Sequence, residues 1–227
     1  MRFKTLLPLV DVQGLEQLKN ARVCVVGVGG VGSYSAMALA RSGIGHLVIV
    51  DPDTIDEANI NRQLMALDST IGTSKVAWLQ AHLTDINPSL TVDALDVAYT
   101  EDTADQLFAL TPDYIIDAID DMPAKKHLIQ ACLARGIPCL SVLAQGNRLG
   151  SGTMHHMPLY KTHSDPIAKA LRKTFNAHPA YKTIEVIYND APVDIPPDGS
   201  GCVASSIFSP AMAGLKAAEI IVKKVLT

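Results

Sequence analysis

The run Gly27-Val28-Gly29-Gly30-Val31-Gly32 follows an apolar stretch, Arg22-Val23-Cys24-Val25-Val26, and opens a helix-compatible one. Glycine lets a backbone turn tightly and approach phosphate oxygens, and a helix start there adds unpaired N–H groups and partial positive charge. A strand before and a helix after make this G-x-G-x-x-G a candidate phosphate cradle rather than a bare pattern match. Asp51 closes the next apolar run, where a dinucleotide fold keeps the carboxylate that accepts hydrogen bonds from a ribose. These residues alone serve NAD and ATP equally.

The following segment separates the two. After Asp51 come Pro52-Asp53, then Asn59-Ile60-Asn61-Arg62-Gln63, and later Lys75. A dinucleotide pyrophosphate is held largely by backbone amides, whereas a triphosphate calls for side-chain cations and a metal. Arg62 offers a fork for two phosphate oxygens and Lys75 a point charge. Asp120 is a candidate magnesium ligand, since that ion takes one or two carboxylates plus phosphate oxygens, and Asp121 is a second candidate. The combination favours ATP with Mg2+.

Elements able to position these groups are legible as alternation. Strands are expected over 22–27, 46–51, 91–95, 113–118 and 137–143. Helices are expected over 30–42, 71–86, 101–110 and 123–135. Strands separated by helices imply an α/β, Rossmann-like, mainly parallel sheet with helices on both faces, binding ligands beyond the carboxyl ends of the strands. From Ala144 the pattern changes. A basic helix is expected over 165–176, a strand over 184–188, and an Ala-rich helix over 205–226. The chain is read as a single domain, 1–227: an N-terminal arm or helix (1–20), an ATP-binding core (21–143), a substrate-side cap (144–204) and a C-terminal helix (205–227).

Composition bounds the rest. With 48% hydrophobic and 19% charged residues the sequence is of globular type. No apolar run has the length of a membrane span and the N-terminus is unlike a secretory signal, so a cytoplasmic location and no membrane partner are expected. Cys24 and Cys132 are expected in the core, and no Cys-x-x-Cys pair suggests zinc. His155 and His156 alternate on a strand-like run, so only one can face the crevice; ordinary histidines are expected. The formal charge of −4 argues against a general polyanion binder. Yet Lys161, Lys169, Arg172, Lys173 and Lys182 stand together with only Asp165 among them, either a solvated helix face or a contact for nucleic acid phosphates.

The ordered motifs Gly27–Gly32, Asp51-Pro52-Asp53, Asn59–Gln63, Gly72 with Lys75, and Asp117-Ala118-Ile119-Asp120 resemble those of the ubiquitin-activating-like (ThiF/MoeB-type) adenylating superfamily. Ala38–Gly45, Gln145–Leu149, Ser164–Arg172, Glu185–Tyr188 and Gly199–Gly214 are most similar to its tRNA threonylcarbamoyladenosine dehydratase branch. The resemblance implies that Asp51 holds the ribose, that Arg62 and Lys75 contact the phosphates, and that Asp120 binds magnesium. Asn59 and Gln63 would line the same site. It also implies a homodimer; relatives often send an N-terminal arginine into the partner's site, for which Arg2 is the candidate match, while Pro8 departs from the pattern by standing where a second arginine would align.

The implied activity is ATP-dependent adenylation of the threonylcarbamoyl carboxylate in tRNA, followed by cyclisation. The alternative partner is a ubiquitin-like sulfur-carrier protein of the thiamine or molybdopterin type, adenylated at its C-terminal glycine. In cysteine-using relatives a thiol attacks the adenylate, which makes Cys202 the one cysteine to weigh for that role; an ordinary small loop residue is the expectation. An NAD-dependent oxidoreductase would leave Arg62 and Lys75 unexplained, and a non-catalytic scaffold would not need its ATP residues intact.

Overall fold

A computed structural model describes residues 2–163, 165–195 and 203–227. Its centre is one seven-stranded sheet. The strands are β1 (Arg22–Val26), β2 (His46–Val50), β3 (Thr91–Leu95), β4 (Tyr114–Asp117), β5 (Cys139–Val142), β6 (Met154–Pro158) and β7 (Glu185–Asn189), in spatial order β3-β2-β1-β4-β5-β7-β6. All pairings are parallel except β6 with β7, where Met154 lies opposite Asn189. The chain therefore has the α/β, mainly parallel architecture expected, and residues after Ala144 extend the sheet by two strands.

Helices cover both faces, as a parallel sheet requires. The helices are α1 (Leu7–Asn20), α2 (Gly32–Arg41), α3 (Lys75–Ile86), α4 (Ala104–Phe108), α5 (Met122–Arg135), α6 (Pro166–Phe175) and α7 (Phe208–Val225). Val23 and Val25 of β1 face one layer, in which Leu18 of α1, Leu39 of α2, Leu79 of α3 and Ala217 of α7 are buried. Cys24 and Val26, pointing the other way, meet Leu107 of α4 and Leu128 and Cys132 of α5. Beside them Ala168, Leu171 and Phe175 of α6 pack over β7. Both expected core cysteines are buried; Cys202 lies outside the described residues.

Element boundaries differ from expectation where local chemistry overrides periodicity. The helix expected from Ile71 begins at Lys75, because Gly72 takes φ 84° and Ser74 caps the helix by accepting from the Ala77 N–H. Only Ala104–Phe108 of the 101–110 stretch is helical. The kink within α1 comes from Asp11 at φ 57°, whose carboxylate accepts the Gly14 N–H at 2.9 Å and restarts the helix.

Candidate functional site

The strand order reverses between β1 and β4, and ligands of open parallel sheets bind beyond the strand ends at such a point. Here the chain leaves β1 into Gly27, which takes φ 84°; a Cβ would stand 2.7 Å from the Ala118 carbonyl oxygen beyond β4. At Gly32 a Cβ would stand 1.8 Å from the Gly27 oxygen, so only glycine lets α2 begin this close to the turn. Gly27 of the turn and residues 118–119, apart in sequence, are thus in contact.

Asp51 is drawn into the same turn. One of its oxygens accepts the Val28 N–H at 2.8 Å, and the other accepts the Asp53 N–H at 3.0 Å. Lys75, at the start of α3, reaches back to place Nζ 2.7 Å from Asp53 and 3.7 Å from Asp51. Asp51 and Lys75 are both buried, while Asp53 is exposed. Burial pushes the Asp51 carboxyl above its ordinary range, partly opposed by the Lys75 cation and the Val28 and Asp53 amides. Two amides fix this carboxylate in one orientation at the turn.

The Asn59–Gln63 segment wraps over the glycine turn. Leu64 N–H donates to the Ser33 hydroxyl at the opening of α2. Gln63 Nε2 lies 3.6 Å from where a Cβ of Gly29 would be, and Gln63 Oε1 is buried without a partner among the described residues. Arg62 Cγ lies 3.5 Å from the corresponding point on Gly30, while its guanidinium donates to the Ala58 carbonyl and the Asn61 side chain. Asn59 accepts the Asp56 N–H, so it shapes this turn from within. Asn61 ties the turn to the Ser205 carbonyl ahead of α7.

From the last residue of β4 onward three carboxylates have three fates. Asp117 is sealed against Lys125 and Ser141, Asp121 caps α5 by accepting the Ala124 N–H, and Asp120 between them is exposed. No group of three or more His, Cys, Asp or Glu among the described residues is set to hold a metal. A magnesium ion on Asp120 would take its remaining ligands from phosphate and water, which suits that ion, and the donor set fits it.

Sequence reasoning missed the buried set around Asp117. Lys125 Nζ donates to Asp117 at 2.8 Å, Ser141 at 3.3 Å and the Val142 carbonyl at 3.1 Å, and Asp117 in turn accepts the Ile119 N–H. It thereby shapes the loop that carries Asp120. Also missed was a second buried set, in which Ser209 of α7 donates to Gln145 at 2.7 Å and receives Asn189 at 2.8 Å. The helical spacing of Lys125 on an otherwise mixed helix gave no sign of burial.

Other expected residues sit apart from this cluster. His155 pairs with Asp190 at 2.8 Å, and His156 pairs with Glu185 at 3.3 Å on the other face of β6. The Arg2 guanidinium donates to the Ile86 carbonyl at the end of α3.

A model of the ThiF family matches residues 3–225. The chain is 45% identical over 181 residues to the tRNA threonylcarbamoyladenosine dehydratase of Bacillus subtilis, covering 80% of this chain and 71% of that protein. It is 34% identical over 215 residues to the enzyme of the same name from Haemophilus influenzae, covering 92% and 82%. Among solved structures, Escherichia coli tRNA N6-threonylcarbamoyladenosine dehydratase, TcdA, in complex with ATP superposes with a TM-score of 0.91 at 30% identity, covering 99% of this chain and 93% of that one.

Proposed function

The chain belongs to the ThiF family, and from that premise we propose that it uses ATP and Mg2+ to dehydrate threonylcarbamoyladenosine in tRNA. The observation that carries this reading is the meeting of Asp51, the Val28 amide and Lys75 at a glycine turn beyond the strand ends. A buried carboxylate for the ribose, amides for phosphate and a cation beside them are what a nucleotide demands. The two dehydratases it resembles at 45% and 34% identity support the choice of acceptor.

In the first step an oxygen of the threonylcarbamoyl carboxylate attacks the α-phosphorus of ATP. The bond from that phosphorus to the bridging oxygen breaks, pyrophosphate leaves with the electron pair, and an acyl adenylate forms. Two anions must approach, so positive charge has to be concentrated around the phosphates. Amides of residues 29–32 would hold phosphate oxygens, since those of Gly27 and Val28 are taken by the Val50 carbonyl and Asp51, and Asp51 would fix the ribose. Lys75 would offset charge from beside Asp51 and Asp53, and Arg62 would swing its fork from the Ala58 carbonyl onto the phosphates. Gln63, with an unspent acceptor over Gly29, would line the nucleotide with Asn59. Magnesium bound by Asp120 would neutralise phosphate charge and polarise the reacting phosphoryl group. In the second step the neighbouring group of the modification closes onto the activated carbonyl and AMP leaves. That step is intramolecular, so proximity supplies the nucleophile and no protein thiol is required.

A homodimer is part of the same reading. Phe208, Met212 and Leu215 recur at helical spacing on the outer side of α7, 58%, 45% and 45% exposed, and an apolar stripe of this kind suits a second copy. Among the described residues no helix is long and apolar enough to cross a membrane, and on the tRNA reading the enzyme would work in the cytoplasm.

Pyrophosphate release on adding tRNA that carries threonylcarbamoyladenosine tests the proposal. Turnover with that tRNA, and none with tRNA lacking the modification, is the expected result. Turnover only with the C-terminal glycine of a sulfur-carrier protein would replace it with the other adenylation chemistry.

A further inference from the structure

We propose that the outer face of α6, with the turns at Leu159–Lys161 and Tyr181–Thr183 that flank it, is the surface on which the tRNA body docks. This rests on the tRNA reading above and extends it from the nucleotide crevice to the flank of the molecule.

The face is built by the register of one amphipathic helix. Ala168, Leu171 and Phe175 point into the core, which turns Lys169 and Lys173 outward on the opposite side. Lys161 and Lys182, on the two turns, are exposed as well, and Arg172 is held half-buried by donating to the Thr162 carbonyl at 2.7 Å. Asp165, the single acid among these cations, is turned inward as the cap of α6 and is 3% exposed.

None of the five cations forms an ion pair among the described residues. Most lysines elsewhere do, Lys4 and Lys126 excepted among the described residues: Lys19 meets Glu16, Lys216 and Lys223 meet Glu219, and Lys224 meets Glu185. In a chain of formal charge −4, these cations are thus left without an acidic partner within 4 Å among the described residues. Like charges left together repel one another, and a polyanion relieves that repulsion while releasing its own counterions.

Aromatic rings stand at one end of the basic face. Tyr160 is 40% exposed, its ring centre lies 6.3 Å from that of Tyr181, and Lys161 Nζ lies 5.8 Å from the Tyr160 ring centre. Cations for the backbone beside a ring on which an unpaired base can stack form the usual platform for single-stranded or loop RNA. The apolar residues of α6 are turned inward, so the strip offers a protein tail no groove. Ten residues of α6 span about 15 Å. Its Asp165 end adjoins Arg148 in the segment that follows β5, on the ligand edge of the sheet. RNA lying along the strip is thereby led toward the crevice.

The test uses the full chain and measures binding of tRNA across a salt series. Replacing Lys161, Lys169, Lys173 and Lys182 together by Ala should weaken binding by on the order of tenfold or more. It should also lower the slope of log affinity against log salt by about 3. Thermal midpoint and ATP affinity should match the unaltered protein. A charge-matched control, Lys19, Lys216, Lys223 and Lys224 to Ala, should change the slope little. Tyr160→Ala should cost roughly tenfold in affinity while Tyr160→Phe retains it. Unchanged affinity and slope in the four-lysine variant, with the unaltered protein binding tRNA, overturns the surface and leaves the dehydratase reading standing. An unaltered protein that binds ATP but no tRNA, and instead turns over with a sulfur-carrier protein, overturns both.

Discussion

Lys125 and Asp117 form an ion pair of 2.8 Å in which both side chains are 0% exposed. Each charge is accounted for: the cation also meets Ser141 and the Val142 carbonyl, and the anion also accepts the Ser141 hydroxyl and the Ile119 amide. Lys125→Met removes one partner and leaves a buried carboxylate. It should lower stability by about 3–5 kcal/mol in urea unfolding, and Asp117→Asn on that background should recover part of the loss. Equal stability of Lys125→Met and the parent would remove this pair from any structural account of the loop carrying Asp120.

Arg62→Ala and Lys75→Ala should each reduce adenylation by about 100-fold or more, measured as pyrophosphate release at saturating ATP. The two differ in a second respect. Lys75 is also the cation beside Asp51, so its loss should shift the pH dependence of nucleoside binding upward, whereas loss of Arg62 should leave that dependence in place.

Asp51 sets the direction of that dependence. Its carboxyl is raised by burial, so on acidification it takes up a proton before an ordinary aspartate would. In its proposed role, protonation would remove an acceptor for the ribose, and adenosine affinity should fall as pH drops through this raised value. The folding term runs the other way. A raised carboxyl contributes stability that is present below the ordinary aspartate range and lost as pH rises through the folded-state value. Titration calorimetry with adenosine from neutral to acidic pH checks the first point. An acid limb no higher than that of a free aspartate would contradict it.

The apolar stripe on α7 gives a fourth expectation. Met212→Glu with Leu215→Glu places charges on residues that are 45% exposed in the isolated chain, so the monomer should fold normally. Light scattering should show a dimer for the parent and a monomer for the variant. An unchanged dimer would move the interface elsewhere.

What the sequence discloses depends on whether the signal is local. Gly27, Gly32 and Asp51 follow from a strand, a turn and a strand within one stretch, and the structure brings them together. Lys75 was legible as a cation near the site, but its pairing with Asp53 was not, because it depends on where Gly72 and Ser74 start α3. Lys125 reads in isolation as one more charged helix residue. Its burial follows from the register of β4 with β5, which sets Asp117 against Ser141 beneath the helix. The antiparallel placement of β6 is non-local in the same sense: Met154 meets Asn189 only after the whole of α6 has intervened.

The reversal of strand order between β1 and β4 divides the labour of the molecule. Glycine turn, Asp51, Arg62 and Lys75 come from the flank of β1, β2 and β3; α6 and the polar set around Gln145 belong to the flank of β5, β7 and β6. Such a layout is modular. Remodelling the second flank can retarget the acceptor while the currency that drives the reaction stays the same, and one chassis can thereby be refitted for many customers.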